Sequence, residues 1–184
     1  MAPSSRRAVF LDRDGVINKK APSSDYVKTW DEFSFLPGVA TAIRSLNEEG
    51  FLVIVVSNQR GVAKGLVTKG HLRDIHARMV GELSRAGARI EGVFYCPHDL
   101  EDACECRKPQ PGLLIHAARA HDIDLRRSWM VGDQESDIEA GTRAGCRTIL
   151  ISAKRPRPVE TGADVICGSL SEAVRKIVRD RRRA

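Results

Sequence analysis

Two carboxylates stand two residues apart where an apolar run stops, in Val9-Phe10-Leu11-Asp12-Arg13-Asp14-Gly15. Side chains at i and i+2 of an extended chain point the same way, so Asp12 and Asp14 can address one reacting centre, with Gly15 permitting a tight turn behind them. Held close, the two carboxylates repel each other unless a cation sits between them, and oxygen donors of this kind suit Mg²⁺. A second acidic cluster follows another apolar run, Met130-Val131-Gly132-Asp133-Gln134-Glu135-Ser136-Asp137. Either cluster alone also reads as a strand-end turn whose Asp caps a following helix. Together at one sheet edge they favour a metal. Between them lie Val56-Ser57-Asn58-Gln59 and Arg107-Lys108-Pro109. The hydroxyl and amide can donate hydrogen bonds to phosphate oxygens and the lysine adds a compact positive charge, although Ser57 also fits a plain turn and Lys108 a solvated position.

A different chemistry is written in Cys96-Pro97-His98 and, five residues on, Cys104-Glu105-Cys106. Three sulfurs and an imidazole at this spacing can wrap a tetrahedral Zn²⁺. Protein fills all four positions, so such a zinc is structural; the alternative is reduced thiols in an ordinary loop. Arg107 and Lys108 follow the last ligand directly, so the metal would fix where both cations point. Five cysteines, an odd number so clustered, do not form a disulfide framework and point to a reducing compartment. Cys146 and Cys167 read as core or strand-end residues, and His71, His76, His116 and His121 as structural or solvated positions on helices.

These residues need elements to position them. Short apolar segments at 8–11, 51–56, 92–95, 128–131, 148–151 and 164–166 read as strands, mostly apolar on both faces. Val39, Ala42, Ile43 and Leu46 fall at helical spacing between Pro37 and Gly50, and the pattern returns at Leu72, Ile75, Met79 and Leu83, at Leu114, Ala117 and Ala118, and at Leu170, Val174, Ile177 and Val178. Strands alternating with helices predict an α/β fold, a mostly parallel sheet covered on both faces. Stretches 19–36, 58–67 and 96–110 break the rhythm and are expected as loops at the carboxyl ends of the strands, where open parallel sheets bind ligands. Lys154 to Ala163 reads as a surface connection.

The 184 residues, 42% apolar and 29% charged, suit one domain over 1–184 and argue against disorder. No apolar run approaches the ~20 residues of a membrane span, and the N-terminus lacks a signal-peptide core, so a cytoplasmic protein is expected. The formal charge of +6 sits at the ends: residues 1–7 carry +2 and 175–184 carry +5, leaving −1 for the body. Residues 1–7 and about 179–184 are therefore expected as frayed basic ends, with an acidic partner as the sharper reading. A nucleic-acid-binding or end-processing protein is disfavoured by the neutral body and the lack of stacking aromatics.

In order, Asp-x-Asp-Gly, Ser-Asn, Lys-Pro and Gly-Asp-x-x-x-Asp resemble the four motifs of the haloacid dehalogenase (HAD) superfamily of phosphohydrolases, over about residues 8–168. The resemblance implies a Rossmann-like three-layer sandwich, with Asp12 as nucleophile and Asp14 as general acid and base. It implies Mg²⁺ at Asp12, Asp133 and the Asp14 carbonyl, Asp137 supporting its water shell, and Ser57, Asn58 and Lys108 on the phosphate. Segment 19–36 leaves room for a flap, and 58–107 is accounted for by one helix, one strand and a loop, leaving well short of the ~50 residues that an independent cap domain requires, so the site is expected to be open. Within the superfamily, the Cys/His loop, Ser57-Asn58-Gln59-Arg60-Gly61-Val62-Ala63-Lys64-Gly65 and Cys106-Arg107-Lys108-Pro109-Gln110-Pro111-Gly112 look like the D-glycero-D-manno-heptose 1,7-bisphosphate 7-phosphatase family. That likeness implies a sugar bisphosphate substrate, structural zinc on Cys96, His98, Cys104 and Cys106, and a cytoplasmic monomer. It places the second phosphate on Arg107, with Gln59 and Arg60 among the substrate-facing residues. Histidinol phosphatase, whose capless homologues carry an equally short zinc loop, is the nearest alternative.

Overall fold

Strand residues that alternate between two apolar faces dictate the layering. In the computed structural model, which describes residues 6–22, 25–153 and 158–181, Val9 and Leu11 enter one buried cluster while Ala8 and Phe10 enter another. The next strand repeats the division, with Val53 and Val55 on one side and Leu52, Ile54 and Val56 on the other. A strand with both faces covered can lie only between two helix layers, and each such Val, Leu or Ile contributes roughly 1.5–3 kcal/mol on burial.

Six parallel strands result: β1 (Ala8–Leu11), β2 (Leu52–Asn58), β3 (Gly92–Cys96), β4 (Trp129–Gly132), β5 (Arg147–Ile151) and β6 (Val165–Cys167), in the order β3-β2-β1-β4-β5-β6. One face carries α1 (Val39–Glu48), α2 (Lys69–Arg85) and α6 (Leu170–Arg181); the other carries α3 (Gly112–His121) and α4 (Glu135–Ala144). A short helix, α5 (Pro158–Thr161), precedes β6. This is the Rossmann-like α/β sandwich expected, its sheet wholly parallel. Strand order reverses between β1 and β4, which opens a crevice at their carboxyl ends. Asp12 and Asp133 begin immediately beyond those ends.

Three stretches carry structure beyond the elements read from the sequence. The acidic stretch after Gly132 opens a full helix, α4: Gln134 and Asp137 form a reciprocal capping box, and Gly145 ends it at φ 86°. The connection 154–163 contains α5, while residues 154–157 lie outside the described residues. The described residues of the basic ends, 6–7 and 179–181, are built in. Arg6 exchanges backbone bonds with Asp122 and Asp124, and α6 runs to Arg181, which pairs with Glu49. Residues 1–5 and 182–184 lie outside the described residues.

Between β1 and α1, residues 17–19 bridge to 34–36 through Leu36 N to Ile17 O and Lys19 N to Ser34 O, at 2.9 and 2.8 Å. Trp30, Phe33 and Phe35 pack ring on ring beneath that bridge, with centroids 4.9–6.3 Å apart. The described residues 20–22 and 25–27 of the intervening segment lie as a flap over the strand ends, lining the cavity beside Asp14. No cap domain occurs among the described residues, and no described helix is long and apolar enough to cross a membrane.

Candidate active site

The turn after β1 brings its two carboxylates to different partners. Asp12 is buried, and its Oδ1 accepts from Lys108 Nζ at 2.9 Å. The same ammonium donates to Val56 O at 2.9 Å and lies 2.6 Å from Asp137 Oδ1. Lys108 is thus a three-way tie among the ends of β1, β2 and the start of α4. Burial works against its charge, but Asp12 and Asp137 outweigh burial and hold the ammonium above the ordinary lysine range. Burial pushes Asp12 up to about 7; Lys108 opposes, while Asp137 and Asp14 add to the rise.

Asp14 turns to a buried cation that the sequence analysis missed. Arg13 is 1% exposed, and its Nη2 donates to both Asp14 oxygens at 3.0 and 2.9 Å. Asn18 and Gln59 add bonds of 2.9 and 3.0 Å. Burial alone would raise this carboxyl, but Arg13 and the hydrogen bonds from Asn18, Arg13 and Gln59 hold it below the usual carboxylate range. The resting group is therefore ionised and ready to accept a proton. A charged residue flanked by two acids at a buried strand end was the available signal for Arg13.

Beneath Arg13, Nη1 lies 3.2 Å from His76 Nε2, so that nitrogen accepts and the ring is neutral. Burial, with Arg13's charge second, lowers His76 to about 4. Its ordinary value is near 6.5, so the unfolded chain takes up the proton first. This contribution to stability is complete above about pH 6.5 and is lost as pH falls towards 4, at most ~3 kcal/mol. In His76→Gln, whose amide oxygen can still accept from Arg13, the fall in denaturant midpoint from pH 7 to 4.5 should be shallower than in the parent. Equal slopes would show that His76 carries none of this acid sensitivity.

Asp133 stands across from Asp12, and one oxygen each from Asp12, Asp133 and Asp137 lie within 4.8 Å of one another. Asp133 Oδ2 pairs with Lys20 of the flap at 2.6 Å, while Oδ1 is buried with no hydrogen-bond partner. An orphaned carboxylate oxygen beside two further carboxylates is a donor set that fits a hard divalent cation. Asp137 has both oxygens engaged, Oδ1 by Lys108 and Oδ2 by the Asp133 and Gln134 N–H groups at 3.1 Å, which suits a supporting position. The packing leaves no room for side chains nearby: a Cβ on Gly15, at φ 95°, would lie 2.1 Å from Asp133 Oδ2, and one on Gly132 2.1 Å from the Asp137 Cβ.

Of the residues expected on phosphate or substrate, several are held by protein partners. Asn58 spends its amide on the Lys108 main chain, accepting from N and donating to O at 3.0 Å each. Gln59, 3% exposed, bridges Asp14 and Ser57 Oγ, the latter at 2.8 Å. Arg60 pairs with Asp99. Each of these three finds a protein partner across 39 to 50 residues of chain, which gives it a positioning role. Arg107 is half-buried and donates to His98 O at 3.3 Å. Over Asp14 lies a cavity of about 480 Å³, lined by Arg13, Asp14, Lys20, Tyr26, Asn58 and Gln134 among others.

The cysteine loop closes as its spacing predicts. Cys104 Sγ lies 3.6 Å from Cys96 Sγ and 3.5 Å from Cys106 Sγ, and His98 Nδ1 lies 3.5 and 3.2 Å from Cys96 and Cys106. A tetrahedron with Zn–S bonds of about 2.3 Å has S···S edges of roughly 3.8 Å, so four soft donors stand near the corners of a zinc site. Asp99, within the same loop, receives Arg60 and ties it to the end of β2.

Residues 105–173 match the HAD-hydrolase-like family model. The chain is 44% identical over 147 residues to the D-glycero-beta-D-manno-heptose-1,7-bisphosphate 7-phosphatase of Rhodopseudomonas palustris, covering 76% of this chain and 80% of the relative. The enzyme of that name from Escherichia coli K12 is 35% identical over 187 residues, covering 96% of each. Among solved structures, the D,D-heptose 1,7-bisphosphate phosphatase of B. bronchiseptica complexed with magnesium and phosphate superposes with a TM-score of 0.85 at 34% identity, over 95% of this chain and 99% of that one.

Proposed function

Because the chain belongs to the D-glycero-beta-D-manno-heptose-1,7-bisphosphate 7-phosphatase family of HAD-like hydrolases, we propose that it removes the 7-phosphate from that heptose bisphosphate through a phosphoryl group carried on Asp12. The observation that carries the reading is the buried junction of Asp12, Lys108 and Asp137 beside the unpaired Oδ1 of Asp133.

Lys108 takes Asp12 Oδ1, so Oδ2 is the oxygen placed to attack phosphorus. As the new P–O bond forms, the bond to the sugar oxygen breaks and that oxygen takes a proton from Asp14, whose resting carboxylate first takes that proton up from solvent as substrate binds. Asp14 then takes a proton from water, the water oxygen attacks the phosphoryl group, and Asp12 and inorganic phosphate are released. Asp12, Asp133 and the Asp14 carbonyl would hold Mg²⁺, which offsets the charge between carboxylate and phosphate dianion. Asp137 orients Lys108 and Asp133, and Asn58 and Gln59 position Lys108 and Asp14. Ser57 and Lys108 face the transferring phosphate. Arg107 has guanidinium nitrogens left for the second phosphate, and the bidentate fork suits that anion. Cys96, His98, Cys104 and Cys106 hold a structural zinc.

Phosphate release should be compared over both anomers of the heptose bisphosphate, sugar monophosphates and histidinol phosphate, with and without Mg²⁺. The expected result is Mg²⁺-dependent turnover of the bisphosphate, the β anomer preferred as in the relatives' name, with kcat/KM at least ~10-fold above histidinol phosphate. Turnover of histidinol phosphate with none of the bisphosphate would assign the chain to that reaction instead.

A further inference from the structure

Arginines from four separate segments meet at the end of the sheet opposite the carboxylates. Arg7 precedes β1, Arg126 and Arg127 lie in the turn entering β4, Arg147 opens β5, and Arg181 ends α6. The strands are parallel, so their starts share one edge, and at ~3.3 Å per residue Arg7 is about 16 Å along the chain from Asp12. The five side chains line one cavity of about 370 Å³, within the range of small-ligand sites, roughly 300–1,000 Å³.

Two of these guanidinium groups are pre-set on rings: Arg7 lies 4.8 Å from the centroid of Phe51 and Arg147 3.9 Å from that of Trp129. Stacking removes rotamer freedom while leaving N–H groups for a ligand. Asp180 is the one carboxylate among the described lining residues and pairs with Arg147 at 2.8 Å; Arg181 pairs with Glu49. Glu49, beside the cavity, also attracts Arg7. Burial, and then the charges of Arg181 and Arg127, hold Arg7 below the ordinary arginine range, with Glu49 opposing. The phosphatase reaction uses none of these groups.

We infer that this cavity binds a small polyphosphate anion, of the class of an inorganic or nucleoside triphosphate, separately from the catalytic end. Five cations against Asp180 in the lining and Glu49 beside it leave an excess of three charges, which a single phosphate dianion does not neutralise and a triphosphate chain does. Guanidinium forks grip successive phosphoryl groups by paired, charge-assisted hydrogen bonds. The concavity favours a compact chain over a duplex.

The test is calorimetric titration of the full-length protein with inorganic tripolyphosphate, without Mg²⁺ and at about 150 mM salt, where weak surface attraction is screened. Orthophosphate and a short DNA duplex are run in parallel. One tripolyphosphate should bind per chain, with orthophosphate at least ~10-fold weaker. Arg7→Gln/Arg127→Gln should weaken tripolyphosphate at least ~10-fold while leaving heptose bisphosphate hydrolysis and the melting temperature near those of the parent. Asp180→Asn, which frees Arg147, should tighten it, and that arm stands even if the double variant folds poorly. Unchanged affinity in the double variant would move the anion to the catalytic end. No binding, or tighter binding of the duplex than of tripolyphosphate, would equally overturn the inference. Hydrolysis of the sugar bisphosphate is read separately, so its failure leaves this test intact.

Discussion

Asp12→Asn is expected to fold like the parent and to lose on the order of 10⁴ to 10⁶-fold in kcat, the range seen when a nucleophile is removed from a preorganised site. The amide is isosteric with the carboxylate, and burial already pushes Asp12 up to about 7, so a neutral group is tolerated there. Lys108 keeps Asp137 and Val56 O as partners. What disappears is the anionic oxygen that attacks phosphorus. Steady-state phosphate release, a thermal melt and acid-quench detection of phosphoryl-protein check the three parts. Full activity in the variant would remove Asp12 from the reaction. A melting temperature lowered by more than about 10 °C would mean that the carboxylate is needed as a counter-charge to Lys108.

The second large effect concerns the loop that carries no reacting atom. The purified protein should hold one zinc per chain. Cys104→Ser should release it, lower the melting temperature by roughly 10 °C or more, and cut kcat/KM by ~10 to 100-fold with Mg²⁺ in excess. Cys96, His98, Cys104 and Cys106 gather donors from the end of β3 and the approach to α3, and Arg107 and Lys108 continue directly from the last of them. Loosening that turn frees the main chain of Lys108, which Asn58 then has to hold alone. The ammonium that fixes Asp12 and Asp137 loses its aim. Elemental analysis and kinetics on the same sample decide it. A zinc-free protein with unaltered melting and activity would reduce the four ligands to ordinary reduced thiols.

The strands, the helices α1, α2, α3 and α6, the pairing of Asp12 with Asp14, and the ring of three cysteines and a histidine were legible in the chain. Each rests on spacing within a single short segment: alternation along a strand, the 3.6-residue helical period, or donors a few residues apart. Helix α4 was hidden because its short apolar stripe, Ile138 with Ala140 and Gly141, sits inside an acidic, glycine-containing run.

Side-chain direction at the loops was decided by the tertiary structure. Asn58 and Gln59 read as phosphate or substrate ligands, yet one holds the Lys108 main chain and the other joins Asp14 to Ser57. Arg13 became the buried partner of Asp14 only because α2 supplies His76 beneath it. The basic runs at either end of the chain looked like solvated tails until the sheet brought Arg7 and Arg181 to one cavity. Local periodicity determines which face a residue takes within an element. A polar group beyond the element's end goes to whichever distant partner offsets its loss of water, and only the packed chain says which partner has arrived.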